Sequence, residues 1–585
     1  MNENYWIDSL RFTDDSIAGE SSFTINNDNG AILLLAGGVY NYSSKTQVVN
    51  VPLSLTGSSD IKNANSSADY GPLTVSGSIS MGNSSLYMTA SPSNIALSGS
   101  IAGTGALYFQ GSGTTALSGS NTITGPLIIS GGTLSYGAGP NLGSPLGGIE
   151  FNDSDGSGGT LLRTGSGTTL RPIQFTHGEG RLEVPSGVTV TYSGYWSGTT
   201  RFAKTGPGTI ILDGNAGIGN PSYPFTGATD VRAGTLQILS RARLASNDLT
   251  VYGNASLVIG DGLTESVTTL NGGGTISFGN GGGLTVGAVT GNSTNGSGNF
   301  TGTLAGNNIT LTKRGAGTLT LSGNNAYSGS TAITAGTVVA NNTLGSATGT
   351  GAVTISGTGI LAGTGTLLGA VSASDSAQLT PGAVGPPANT VGMLTVGHLS
   401  LQSSTSVAIE LTPVASDKLT ITGNASLAGT LALSRVNNDA IAYSTPREIL
   451  RINGTRAGVF DTVTGNQQSL TSWFAITYSG PSVLLSVARP GDADLDGRVN
   501  FNDLLALAAH YSAAGQTWAT GDFDGTGNVN FSDLLTLARN YGFDTTGTSA
   551  SDFATNWAAA LALIPEPTLW LVSPLLALGR RRRGC

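Results

Sequence analysis

The sequence predicts a mainly β protein: an elongated right-handed β-helix, or solenoid, followed by a small α-helical calcium-binding module. Glycine accounts for 88 of the 585 residues, about twice the usual share, which disfavours helices. Short apolar strands separated by Gly, Ser, Asn and Thr fill residues 1–489, and this alternation is typical of β structure. A repeat of about 20 residues recurs in this region, and that period indicates a solenoid coil.

The composition excludes several classes of protein. Charged residues make up 10% of the chain and the net charge is −9, so no basic surface is available for nucleic acid. The 38% of hydrophobic residues argues against a disordered chain. The single cysteine, Cys585, rules out a disulfide within the chain. It fits either a reducing compartment or an exported protein without thiols.

The repeat is recognisable at three places. Residues 113–134 and 317–338 share a 19-residue spacing between two glycines, with matching Leu, Gly, Asn and Gly positions between them. A third copy at 208–234 is seven residues longer, and we place the insertion at 217–223. One coil cannot bury its apolar row alone, so stacked coils build a continuous core. At about 20–25 residues per coil, residues 1–489 predict roughly 20 coils.

The repeats resemble the autotransporter-associated β-strand repeat. The lead Lys204–Thr209 and the run Leu321–Gly329 carry the resemblance, which places the copies at 113–134, 203–236 and 312–338. Proteins with this repeat form passenger-like β-helices on bacterial surfaces, and the resemblance implies the same here. The most regular strands follow from about residue 435 to 489, where we expect a closing cap.

Two acidic loops, offset by 30 residues, predict two calcium ions. Calcium prefers six to eight oxygen ligands, which positions 1, 3, 5, 7, 9 and 12 of such a loop supply around a glycine at position 6. The predicted ligands are Asp492, Asp494, Asp496, Arg498, Asn500 and Asp503 in loop one, and Asp522, Asp524, Thr526, Asn528, Asn530 and Asp533 in loop two. Position 7 contributes its carbonyl. Because Thr526 is neutral, we expect loop two to bind more weakly. The alternative is a pair of acidic turns that bind nothing.

Each loop leads directly into a helix, and no helix precedes it as in a full EF-hand. A tandem copy with Asp at position 12 and Leu-Leu after it resembles the type I dockerin, over residues 490–543. The resemblance implies a cohesin-like partner that contacts positions 10 and 11 of each loop. These positions are Phe501, Asn502, Phe531 and Ser532. The alternative is a calcium-stabilised spacer without a cohesin.

Residues 564–585 run from Pro565-Glu566-Pro567 through an apolar stretch to four arginines at 580–583. This order resembles a PEP-CTERM sorting signal, which an exosortase processes in Gram-negative bacteria. An apolar run of about ten residues, short of the roughly 20 needed for a stable span, predicts transient membrane contact. The alternative is a hydrophobic end without a sorting role. Residues 544–563 are expected to form a linker, and a start in mid-strand predicts that the true N-terminus lies upstream. The proposed signal consists of Pro565, Glu566, Pro567, Arg580, Arg581, Arg582 and Arg583.

These features together predict a non-catalytic exported protein of the cell surface or extracellular matrix, with an extracellular polysaccharide as a candidate ligand. The alternative is a dockerin-bearing β-helix enzyme, a polysaccharide lyase or hydrolase. Such an enzyme needs carboxylates or a basic group gathered on one exposed row. The histidines at 177, 398 and 510 are scattered, and Asp153 and Asp155 are the closest acidic pair in the solenoid. We therefore predict no catalytic residues.

Overall fold

The computed structural model describes residues 4–13, 22–27, 30–64, 71–154, 156, 158–213, 225–239, 245–287, 296–382, 391–442, 445–544 and 553–563. The chain divides into two compact units, Met1–Ser372 and Ala373–Cys585. The insertion predicted at 217–223 lies outside the described residues.

The chain folds as a β-solenoid of about 17 turns with little helix, so the predicted fold class is confirmed. The first strands in chain order are β1 Tyr5–Thr13, β2 Phe23–Ile25, β3 Leu33–Tyr42, β4 Gln47–Val49, β5 Leu53–Leu55, β6 Ser59–Ala64, β7 Leu73–Val75, β8 Ile79–Gly82, β9 Leu86–Ser91, β10 Ile95–Leu97, β11 Ile101–Gly103, β12 Leu107–Gly111, β13 Thr114–Leu117, β14 Thr122–Ile123, β15 Leu127–Ile129, β16 Thr133–Tyr136, β17 Ile149–Asn152, β18 Gly159–Arg163, β19 Gly167–Thr169, β20 Ile173–His177, β21 Gly180–Glu183, β22 Thr189–Tyr192, β23 Trp196–Gly198, β24 Phe202–Thr205 and β25 Thr209–Asp213.

The remaining strands are β26 Thr229–Val231, β27 Gly234–Leu239, β28 Ala245–Val251, β29 Ala255–Ile259, β30 Thr264–Gly272, β31 Thr275–Phe278, β32 Gly283–Val286, β33 Gly298–Phe300, β34 Thr303–Ala305, β35 Thr310–Lys313, β36 Thr318–Leu321, β37 Thr331–Ala340, β38 Val353–Gly363, β39 Val371–Ala373, β40 Gln378–Pro381, β41 Met393–Val396, β42 Leu399–Leu401, β43 Ser406–Leu411, β44 Lys418–Ile421, β45 Ala425–Ser426, β46 Thr430–Arg435, β47 Arg447–Ile452, β48 Arg456–Ala457, β49 Thr462–Thr464, β50 Trp473–Ser479 and β51 Ser482–Ala488. The helices are α1 Phe501–Ala509, α2 Phe531–Asn540 and α3 Phe553–Leu563.

Successive coils pair through parallel ladders. Thr318 lies opposite Thr337, so the 19-residue glycine spacing in the sequence corresponds to one coil. Other coils are longer: Phe202 lies opposite Thr229, 27 residues further along. The prediction of roughly 20 coils is therefore too high, because several coils have extended corners.

The strands alternate between the interior and the exterior of the solenoid. In β15, Leu127 and Ile129 are fully buried, and the residue between them points outward. Aromatic rings fill part of the interior of the first unit: Phe151 and Phe175 stack with 5.1 Å between ring centroids, and Phe175 also contacts Trp196. The alternation thus gives each coil an apolar row that its neighbours cover.

The lysine of the repeat lead lies inside the solenoid. The Lys313 ammonium is fully buried and donates to the carbonyls of Arg314 (2.8 Å), Gly315 (2.6 Å) and Ala335 (3.2 Å). Lys204 makes the same three bonds in the second copy. Burial lowers the pKa of each lysine to about 8, so both remain mainly charged at neutral pH. Each ammonium joins the corner of its own coil to the next coil.

The asparagine of the repeat joins three coils. Asn325 accepts a hydrogen bond from the Leu304 N–H (2.7 Å) on the preceding coil and donates to the Ala347 carbonyl (2.6 Å) on the following coil. Asn121, at the matching position of another copy, accepts from the Ile101 N–H (2.7 Å) and also donates to a carbonyl of the next coil. Both asparagines are buried. They therefore satisfy backbone groups that would otherwise be costly inside the protein.

The closing glycine of the repeat is required by both conformation and space. Gly132 and Gly336 have φ values of +59° and +66°, a region that other residues rarely adopt. A Cβ on Gly336 would lie 2.5 Å from the carbonyl oxygen of Gly317 on the preceding coil. Coils therefore approach so closely at this corner that no side chain fits.

The parallel sheet of the second unit ends on an antiparallel hairpin. The segments predicted as conventional strands form β47 and β51, and β51 pairs antiparallel with both β47 and β50. This arrangement gives β51 a partner on each side. A sheet that ends in this way presents one edge strand instead of an open coil.

Replacing Lys313 by Met tests the buried ammonium. The variant leaves three corner carbonyls without their donor, so we expect a loss of about 1–3 kcal/mol in the free energy of unfolding. Denaturant unfolding followed by circular dichroism measures it. The control is Lys62→Met, because Lys62 points outward from β6. Equal stability of the two variants would contradict the role of the buried lysine.

Candidate metal centre in the C-terminal module

Residues after β51 form a small helical module whose core also includes Ala475 of β50 and Ala488 of β51. The helices predicted after each acidic loop are present as α1 and α2. Leu504, Leu507 and Leu537 are fully buried between them. The Trp518 indole N–H donates to the Asp492 carbonyl (2.6 Å), which ties the core to the first residue of loop one.

The linker predicted over 544–563 is wrong for its second half. Residues 553–563 form α3, which packs on α1, and Ala560 is fully buried. Trp557 contacts Tyr511 with 6.1 Å between ring centroids, and Phe553 contacts Tyr541 with 5.1 Å. The spacing of 553, 557 and 560 places three apolar residues on one helical face, and the two aromatic ones contact the tyrosines that follow α1 and α2.

The 30-residue repeat folds as two halves that exchange hydrogen bonds. In loop one, the Val499 N–H donates to the Phe543 carbonyl (3.0 Å), and the Gly542 N–H donates to the Val499 carbonyl (2.8 Å), so loop one pairs with the segment after α2. In loop two, Val529 pairs with the segment after α1, where the Ser512 N–H donates to the Val529 carbonyl (2.8 Å). Each loop is therefore held by the other half of the module.

The last acid of each loop also caps a helix. The Asn500 side chain accepts from the N–H of the second residue of α1, and Asp503, the third residue, accepts from the N–H of Asn500 (2.8 Å) and of Ala493 (2.7 Å). Asn530 and Asp533 repeat this arrangement at α2. The capping fixes the two ends of each loop relative to one another.

The predicted acidic ligands converge in both loops. In loop one, oxygens of Asp492, Asp494 and Asp496 lie within 4.8 Å of one another, and in loop two those of Asp522, Asp524 and Asp533 do. Asp503 lies outside the loop-one group, although its two oxygens accept the same backbone N–H bonds as those of Asp533.

The neutral predicted ligands of loop two lie close together, and the Thr526 N–H donates to Asp522 (3.1 Å) and Asp524 (3.2 Å). The Asn528 carbonyl is 3.4 Å from both the Thr526 hydroxyl and the Asn530 amide nitrogen. In loop one the side chain of Arg498, whose carbonyl is the predicted ligand, lies 3.4 Å from Asp544. The residues of both loops thus provide a set of hard oxygens of the kind that calcium prefers.

Burial and repulsion between neighbouring acids raise the pKa of the first and last acids of each loop. Burial, together with the neighbouring acids Asp503, Asp496 and Asp494, raises the pKa of Asp492 to about 7. Burial raises the pKa of Asp503 to about 6 and also raises that of Asp522 and Asp533. One oxygen of Asp492, a residue 3% exposed, has no hydrogen-bond partner among the described residues. A cation in the loop would supply the missing partner and favour the charged carboxylates.

The predicted partner-binding positions differ in exposure. Phe531 is 67% exposed, and Asn502 and Ser532 are also exposed, whereas Phe501 packs partly on the module core. Sequence reasoning missed Leu535, which is 38% exposed one turn after Phe531. The i, i+4 spacing of two apolar residues on α2 was the available signal.

The other residues singled out in the sequence have structural partners or lie outside the described residues. The rings of His177, His398 and His510 bond to Asn152, to the Asn424 N–H and to the Ala506 carbonyl, respectively. Asp153 is buried and accepts from the Gly158 N–H. The sorting residues 565–567 and 580–583 fall outside the described range. Among the described helices, none combines the length and apolar character required to cross a membrane.

Comparison with known proteins confirms the three repeats. The passenger-associated-transport-repeat family model matches residues 110–135, 202–238 and 311–340. A similar protein is the adhesin BmaC autotransporter of Brucella suis biovar 1 (strain 1330), 34% identical over 170 residues. That alignment covers 28% of this chain and 5% of the adhesin, so the similarity extends over a small part of the adhesin's length.

The raised pKa values predict opposite effects of pH with and without calcium. In the unfolded chain these acids have a pKa near 3.8, so the folded metal-free module binds protons more tightly than the unfolded chain does. Its stability should therefore be greatest below about pH 4 and should fall as the pH rises towards 7. With saturating calcium, stability should rise over the same range because the ion binds the deprotonated carboxylates.

The thermal midpoint of the helical signal at 222 nm, measured at pH 4.5 and 7.5 with and without calcium, checks this prediction. The same direction of change in both conditions would contradict it.

Proposed function

We propose that this chain is a non-catalytic protein exported to the surface or surrounding matrix of a Gram-negative bacterium. The observation that carries the proposal is the match of three segments to the passenger-associated transport repeat, supported by the similarity to a bacterial adhesin. The buried lysines and asparagines of the repeats hold coils together, so the repeat serves as a scaffold. Outward rows of this scaffold, such as the stacked Tyr87 and Tyr108 (4.5 Å between centroids), are candidate surfaces for an extracellular polysaccharide.

The proposal includes two calcium ions, one in each acidic loop. Its support is the convergence of three carboxylates in each loop and the unpartnered oxygen of buried Asp492. Without an ion, several negative charges would face one another in a partly desolvated site, which is costly. Calcium binding would therefore stabilise the folded module.

We further propose that α2 carries the docking surface for a cohesin-like partner. Phe531, Ser532 and Leu535 form an exposed patch on one side of this helix. Two exposed apolar side chains beside a polar one fit the apolar centre and polar rim of protein interfaces. A module that folds with calcium but binds no partner would instead be a spacer.

The C-terminal residues would act as a sorting signal for an exosortase. The support is the order of the segment: Pro565–Pro567, then an apolar run, then four arginines. Arginines next to an apolar run favour the cytoplasmic side of a membrane. With the arginines held on that side, Pro565–Pro567 would lie outside the bilayer, and processing near this motif would release the solenoid and the calcium module outside the cell.

The alternative function is that of a polysaccharide-degrading β-helix enzyme. A groove of about 500 Å³ in the first unit is bounded in part by Asn121, Thr169 and Arg171. The buried Arg171 guanidinium donates to the carbonyls of Leu142 and Gly147, so it is engaged in joining coils. This favours a structural role for the groove. Release of oligosaccharides from a polysaccharide by the purified chain would support the enzyme.

Replacing Asp492 by Ala tests the calcium sites. The variant removes the first ligand of loop one and leaves loop two intact, so calorimetric titration should show one ion bound instead of two. The matched control is Asp439→Ala, an exposed acid outside both loops, which should keep two ions. Two ions bound by the Asp492 variant would refute the assignment of loop one.

Intact mass of the exported protein tests the sorting signal. When the chain is expressed with an export signal in a host that has an exosortase, we expect the mature protein to lack the residues after Pro567. The loss of four arginines would change the formal charge from −9 to −13 if Glu566 is retained. A host without the exosortase is the control. A secreted protein that still ends at Cys585 would exclude this processing.

A further inference from the structure

The second calcium loop lies against the last coil of the solenoid, defined here as residues 461–466. The Val463 N–H donates to the Gly525 carbonyl (2.7 Å), and the Asn466 side-chain amide donates to the Phe523 carbonyl (3.0 Å). Both acceptors are backbone carbonyls of loop two. Phe523 lies between the predicted ligands Asp522 and Asp524, and Gly525 follows Asp524. The backbone of the loop is therefore held by the coil at two points that lie between ligand positions.

Two glycines of loop two lie directly against backbone carbonyls of the coil. A Cβ on Gly525 would lie 2.6 Å from the Val463 carbonyl oxygen, and a Cβ on Gly527 would meet the carbonyl of Asp461 even more closely. Phe523 is fully buried. A cavity of about 20 Å³, room for a single water, lies in this interface beside Asn466, Tyr478 and Asp522. The contact is thus close and formed largely by backbone.

Loop one shows what the same position looks like without such a contact. The 30-residue offset aligns Gly525 with Leu495, and both residues have positive φ, +76° and +61°. Leucine is tolerated in that conformation in loop one, so conformation alone does not require glycine in loop two. Glycine is required in loop two because a side chain at this position would clash with the backbone of the last coil. The glycine at this position of loop two, where loop one has leucine, therefore reflects the contact with the solenoid.

We infer that the last coil is a functional part of the second calcium site: it holds loop two in its ion-binding conformation, and the bound ion in turn holds the coil. This inference rests on the proposed calcium function. Loop two should then bind more tightly than its neutral Thr526 suggests, because the coil has already ordered its backbone. By linkage, the ion must stabilise the coil as much as the coil strengthens ion binding.

Calcium titration of the full chain with variants on the solenoid side tests the first half of the inference. Asn466→Ala removes a donor to loop two without touching a ligand, and we expect it to weaken one of the two sites about five- to tenfold. The control is Asn424→Ala, because Asn424 accepts from the Thr455 N–H elsewhere in the second unit; it should leave both sites unchanged.

A second pair of variants acts from the loop side. Gly525→Leu copies loop one into loop two and forces the loop away from the coil, so it should weaken the same site. Leu495→Gly in loop one should not weaken the second site. If Asn466→Ala fails to fold, this pair still decides the question.

Hydrogen exchange tests the reciprocal effect. We expect calcium to slow exchange across residues 461–466 at least tenfold in the wild type and in Asp492→Ala, which keeps loop two. It should not do so in Asp522→Ala, which lacks the first ligand of loop two.

The outcomes separate the two proposals. A wild-type chain that binds no calcium would overturn the calcium function and this inference with it. Two bound ions, with unchanged affinities in Asn466→Ala and Gly525→Leu, would overturn the inference alone. So would equal protection of residues 461–466 in Asp522→Ala and the wild type.

Discussion

Backbone carbonyl oxygens at the coil corners are the groups that the rest of the solenoid has to satisfy. Strand ladders pair the straight segments, but a corner turns its peptide groups away from the ladder. Buried cations supply donors there: Lys204 and Lys313 each bind three carbonyls, and Arg163 and Arg171 bind two each. Each of these residues is at most 2% exposed. A chain with few charged residues thus places several of them inside, where a charge–dipole contact with the backbone is strong.

The same constraint explains which parts of the fold the sequence could predict. Glycine spacing and strand alternation are local patterns. They were sufficient to predict the fold class, the three repeats and the length of a short coil, which is the 19-residue spacing. The burial of Lys313 was not predictable in this way, because its acceptors include Ala335 on the next coil. The number of coils was overestimated because corner length varies without a strong local signal.

The candidate site shows a similar division. The spacing of the acids identified two loops, and the structure brings three carboxylates together in each. The contacts that distinguish the loops were missed because they join residues far apart in sequence: Asn466 and Phe523 are separated by 57 residues. Helix α3 was missed because its signal, three apolar residues on one face of an alanine-rich segment, becomes meaningful only beside Tyr511 and Tyr541.

The duplicated module illustrates how one sequence pattern acquires two physical roles. Both loops cap their helices in the same way, and each brings three carboxylates together, so the chemistry of each candidate site is local. Their surroundings differ: the backbone of loop two is fixed by a coil that approaches as closely as coils approach one another elsewhere, with glycine again at the point of contact. Loop two therefore continues the packing principle of the solenoid. Phe531 on α2 remains 67% exposed, so it lies on a surface that neither the core of the module nor the last coil covers.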